Sequence, residues 1–220
     1  NAGSVHVFVR AGTTWTLEQT LLAPDAVGGD YFGQSVALTS DGTRALVGAY
    51  LDDVAGATDG GSARVYLRTG TTWAEEATLV AADAQSFDNL GSSVALSSDG
   101  TRALCGAWAD DTAGGLNAGS ARVYLRTGTT WAEEATLVAP NGAPVDYFGW
   151  SVALASDASR ALIGAYSDDT GRGVNAGTAR VFLRTGTAWA HEVALFAADG
   201  SADDQLGYSV ALSADGSRAL

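Results

Sequence analysis

A period of 58 residues governs this chain. Trp15, Trp73, Trp131 and Trp189 stand 58 positions apart, and so do Gly33, Gly91, Gly149 and Gly207. The pairs Asp52–Asp53, Asp110–Asp111 and Asp168–Asp169 keep the same step, with no gap anywhere. Residues 61–81 and 119–139 are identical letter for letter. Duplication produces such a pattern, and it restricts the fold. Each unit must build the same small piece of structure and bury its apolar face against a neighbouring copy. The units run 1–58, 59–116, 117–174 and 175–220, the last one incomplete, within one domain over 1–220.

Each unit holds four strand-like runs, and no stretch has the 3.6-residue apolar period of a helix. In the first instance they are Gln34–Thr39, Arg44–Tyr50, Ser62–Arg68 and Trp73–Val80. Asp41-Gly42 is a tight-turn signal between the first two, and Thr69–Thr72 turns between the last two. A Gly/Asp-rich loop, Leu51–Gly61, separates the pairs. Four short antiparallel strands repeated at this spacing predict an all-β fold. Its form is a β-propeller with one four-stranded leaf per blade and about four blades present. Either these blades belong to a larger ring, or the strands of 1–24 pair with those of 207–220 to close a four-bladed one.

The motifs resemble a known family. Phe32-Gly33 with Gly48-Ala49, and Phe148-Gly149 with Gly164-Ala165, are similar to FG-GAP repeats, as in the propellers of integrin α subunits and many bacterial surface proteins. The match to the bacterial form covers nearly the whole length. Leu90-Gly91 and Leu206-Gly207 depart from Phe-Gly, and Tyr50, Trp108 and Tyr166 occupy the place of the family's proline. The resemblance implies a seven-bladed ring, an extracellular or cell-surface location and a role in adhesion. The integrin-type calcium loop between the first two strands is absent.

Charge narrows the partners. The chain has 12 Arg and no Lys against 19 Asp and 6 Glu, for a net charge of −13. Such a surface repels nucleic acid and anionic lipid heads. In a meander, the loops joining strands 2–3 and 4–1 share one face, which collects 15 of the 19 Asp against four Arg (Arg64, Arg122, Arg172, Arg180). That face suits a hard cation or a basic partner. Flexible loops rich in carboxylate and carbonyl oxygens suit Ca²⁺. The candidate ligands are Asp52, Asp53, Asp59, Asp110, Asp111, Asn117, Asp168, Asp169 and Asn175. The alternative for the same Asp pairs is capping of loop amides.

No constellation points to catalysis. The two histidines, His6 and His191, lie at non-equivalent positions, and Cys105 replaces Val47 and Ile163 in an apolar run. That lone cysteine excludes a disulfide within the chain. Pairing across the outer hairpin sets Arg68 opposite Trp73, which predicts a cation–π clip repeated at Arg10–Trp15, Arg126–Trp131 and Arg184–Trp189. Trp108 and Trp150 break the repeat and are the candidate ligand contacts. The expected function is a non-enzymatic binding or adhesion propeller that takes a protein or carbohydrate on one face. A lectin-like propeller, a module of a secreted hydrolase and a structural spacer are the alternatives.

Overall fold

The computed structural model describes residues 2–25 and 27–220, and every regular element in them is a strand. β1 (Val5–Ala11) and β2 (Thr14–Leu21) form a two-stranded sheet. Three four-stranded antiparallel sheets follow. The first is β3 (Ser35–Leu38), β4 (Arg44–Ala49), β5 (Ser62–Thr69) and β6 (Thr72–Leu79). The second is β7 (Val94–Leu96), β8 (Arg102–Ala107), β9 (Ser120–Thr127) and β10 (Thr130–Leu137). The third is β11 (Ser151–Leu154), β12 (Arg160–Ala165), β13 (Thr178–Thr185) and β14 (Ala188–Leu195). Each sheet runs in chain order, as consecutive blades of a propeller do. The ring is open: β1–β2 stands as a separate sheet, and residues 207–220 contribute one bridge, Leu212 to Ala219. The four-bladed closure considered from the sequence is therefore not formed.

The core lies between sheets, so one blade's stability depends on the next. Leu46, Val65 and Leu79 of the first blade pack with Leu90, Val94, Cys105 and Tyr124 of the second. Leu104, Val123 and Leu137 then pack with Phe148, Val152, Ile163 and Phe182 of the third. The effect of a missing neighbour is direct. Val94 and Val152 are 7% and 8% exposed, whereas the equivalent Val36, with no inner strands of a preceding four-stranded sheet beside it, is 57% exposed.

Glycine explains why the two dipeptide motifs travel together. The amide of Gly91 donates to the carbonyl of Gly106 at 2.9 Å, and Gly149 donates to Gly164 at 3.0 Å, joining the 4–1 loop to the end of the second strand. A Cβ on Gly106 would lie 1.9 Å from the Gly149 carbonyl oxygen of the following blade, and one on Gly48 equally close to that of Gly91. Gly91 and Gly149 also hold φ of +89° and +96°, which L side chains rarely adopt. The preceding Phe148 or Leu90 is fully buried and seats this loop in the core.

The hairpin register is as expected, with Arg68 opposite Trp73, Arg126 opposite Trp131 and Arg184 opposite Trp189. The contact it makes is different. Each indole donates Nε1 to a glutamate of the preceding blade: Trp73 to Glu18 at 2.9 Å, Trp131 to Glu76 at 3.3 Å and Trp189 to Glu134 at 3.1 Å. The same glutamates bind Arg68, Arg44 and Arg102 respectively. The expected cation–π clip within a hairpin is thus replaced by a latch between blades. A half-buried indole N–H needs an acceptor, and the neighbouring blade supplies an ionised one.

Candidate functional site

The 2–3 and 4–1 loops do share a face. Phe87 N donates to Thr58 O at 2.8 Å, and Asn89 Nδ2 donates to the carbonyls of Tyr50 and Asp59. On this face the Asp pairs divide their work. The first member of each pair is buried against an arginine. Asp52 accepts from Ser62 and Arg64, Asp110 from Ser120 and Arg122, and Asp168 from Thr178 and Arg180. The second member bridges its own loop. Asp53 accepts from the amide of Asp59 at 2.9 Å, Asp111 from Asn117 at 2.8 Å and Asp169 from Asn175 at 2.8 Å.

Asp59, Asn117 and Asn175 take left-handed φ near +50°, which suits residues of this type in such a turn. The nine candidate ligands are therefore spread over arginine pairs and loop caps. No group of three or more His, Cys, Asp or Glu gathers at metal-binding range among the described residues.

A second series of carboxylates closes the 4–1 loops. Asp88 accepts from the amide of Gln85 and Asp146 from that of Ala143, both at 2.7 Å. Burial pushes each of these carboxyls up to about 6, above the ordinary value near 3.8. The caps and the nearby Arg122 and Arg180 oppose the shift, and Asp110 and Asp168 add to it. A carboxyl raised in the folded state binds protons that the unfolded chain releases. Its stabilising contribution is therefore present below about pH 4 and lost as pH rises through about 6. We expect Asp146→Asn, which keeps an oxygen for the Ala143 amide, to flatten the fall in urea midpoint between pH 5 and 7. The difference is on the order of 1–2 kcal/mol. An unchanged pH profile in the variant contradicts this assignment.

At the inner end of the same face lies a cleft of about 370 Å³, lined by Gln34, Tyr50, Ser92, Trp108, Trp150 and Tyr208. Its walls come from two equivalent positions in successive units. Tyr50, Trp108 and Tyr166 follow the Gly-Ala pair of each second strand. Gln34, Ser92, Trp150 and Tyr208 follow the glycine of each 4–1 loop. Trp108 and Trp150, which the sequence singled out separately, meet edge to face with centroids 5.4 Å apart. Trp150 also meets Tyr166 at 4.8 Å and Tyr208 at 5.5 Å, and Tyr147 lies 5.2 Å from Trp108 and 5.6 Å from Tyr166. Tyr208 remains 55% exposed. A larger apolar hollow, about 520 Å³ and lined by Leu162, Leu195, Leu206 and Val210, is the flank of the third blade.

The sequence found the two tryptophans but not the tyrosines. The signal for them was present in the form of positions that vary inside an otherwise constant scaffold. The remaining candidates behave as structural groups. His6 bonds Thr20 at 2.9 Å, and His191 packs edge-on against Phe182. Cys105 is fully buried in the apolar core, and desolvation pushes its thiol up, which favours the neutral form.

The profile of the FG-GAP repeat family matches residues 15–66, 73–124 and 131–182, more than two thirds of the chain. No curated protein sequence matches it. Each matched window starts at the tryptophan of a fourth strand, or its equivalent, and ends on a third strand. Each of the three windows thus spans two successive sheets rather than following a single one.

Proposed function

The chain belongs to the FG-GAP repeat family, and from that premise we propose that it is a non-enzymatic binding module whose ligand enters the aromatic cleft. The observation that carries this reading is the convergence of Trp108, Trp150, Tyr50 and Tyr208 from four successive units onto one opening. That opening lies on the face where most aspartates are gathered. Aromatic faces inside an acidic surround attract cations, by their quadrupole at short range and by the net field at long range. The partner is accordingly a protein that inserts an arginine or lysine side chain. Adhesion in an extracellular or cell-surface setting is the role that fits such a display. The same Asp-rich loops brace the face through their arginine pairs and amide caps.

Tryptophan fluorescence during titration with an arginine-containing peptide tests this. We expect saturable quenching that weakens as salt rises, and an affinity at least tenfold lower in Trp150→Ala. The outward-facing Trp15→Ala serves as the control. Glycan-array binding that vanishes in Trp150→Ala, without any peptide binding, would replace the reading with a sugar-binding one. No saturable ligand of either class would leave a spacer.

A further inference from the structure

The three blades repeat one buried arginine, but not its company. Arg64 pairs with Asp25 at 2.6 Å, Asp52 at 3.1 Å and Glu75 at 3.3 Å. Arg122 pairs with Asp83 at 2.7 Å, Asp110 at 2.7 Å and Glu133 at 3.2 Å. Arg180 is as deeply buried, at 3% exposure, yet among the described residues its one ion pair is with Asp168, at 2.7 Å. Its Nε has no hydrogen-bond partner among the described residues, but neither has that of Arg64, so what sets Arg180 apart is the two carboxylates it lacks. The cause lies in three substitutions within the repeat. Asn141 stands where the first two blades have Asp25 and Asp83. His191 replaces Glu75 and Glu133, and Ala194 replaces the threonines Thr78 and Thr136 that also bind the arginine.

We propose that Arg180 is a docking point for a carboxylate from outside the chain, seated as Asp83 is seated on Arg122. The vacated position is open to solvent, because the Asp25 and Asp83 side chains that fill it elsewhere are 67% and 69% exposed. A guanidinium held this deep is poorly hydrated, and a carboxylate reaching it through that opening gains charge-assisted hydrogen bonds. Charge balance permits it despite the acidic chain. One arginine already holds three carboxylates in each of the first two blades, whereas Arg180 holds one. A second carboxylate there leaves less negative charge than its equivalents carry. The ligand is a single carboxylate, either a free organic acid or an acidic side chain of a partner, and the site is separate from the aromatic cleft.

The test uses the whole chain at constant ionic strength and pH 7. It follows the Arg180 Nε–H signal by NMR and the melting temperature, with acetate and with the tripeptide Gly-Asp-Gly, against chloride. We expect a saturable shift with carboxylate and none with chloride. In Asn141→Asp, where the chain supplies its own carboxylate, the response is at least tenfold weaker and the melting temperature is higher without any ligand. A response to acetate identifies a free acid as a sufficient ligand, and a response to the peptide alone identifies a partner's side chain. Equal behaviour of carboxylate and chloride, or an undiminished response in Asn141→Asp, overturns the proposal.

Discussion

Gly106→Ala is expected to lower the melting temperature by roughly 10 °C, a loss of about 3 kcal/mol or more. The new methyl would lie 1.9 Å from the carbonyl oxygen of Gly149, and the obstacle is backbone, which no rotamer change relieves. Relief requires the second and third blades to separate, which opens the cluster around Leu104, Phe148 and Ile163. Gly171→Ala supplies the control, since nothing lies within 4 Å of a Cβ there and its φ is not in the left-handed region. That change should stay within about 0.5 kcal/mol of the parent. Similar unfolding midpoints for the two variants would refute the view that the glycine motifs exist for close approach between blades.

The second large effect is expected at Arg122. Its removal in Arg122→Ala leaves Asp110, 4% exposed, without its countercharge. Breaking a buried pair from one side typically costs about 3–5 kcal/mol, because the remaining charge is left desolvated. Asp83 and Glu133 lose the same partner. Arg180→Ala removes a cation with one carboxylate and should cost less. The order of the two urea midpoints, with Arg122→Ala the lower, separates this network from the plain loss of an arginine's packing. Equal midpoints would show that packing dominates.

Much of this molecule was legible in its sequence, because a period combined with turn signals fixes both strand order and register. The opposition of Arg68 and Trp73 follows from counting across a four-residue turn, and so does the gathering of the 2–3 and 4–1 loops on one face. What counting could not reach is the contact made between blades. Whether Trp131 turns towards Arg126 of its own hairpin or towards Glu76 of the blade before depends on how sheets stack, and register carries no trace of that. The site was half legible for the same reason. Trp108 and Trp150 stood out as exceptions, but they belong to different units, and only the stacking brings them to 5.4 Å. The division of labour within each Asp pair was likewise hidden, since two adjacent residues on a loop point to different partners.

The letter-identical hairpins β5–β6 and β9–β10 sit on inner strands that differ at few positions. Either hairpin therefore satisfies the edge of either inner pair with the same hydrogen bonds and nearly the same burial. Only the connecting loops tell a refolding chain which copy belongs where. Crossed pairings, within one chain or between two, are close in energy to the native one. Yield on refolding should accordingly fall with protein concentration more steeply than for an unrepeated chain of this length. Synthesis from one end, which lets the inner strands of one blade meet their own hairpin before the identical hairpin emerges, is the natural escape.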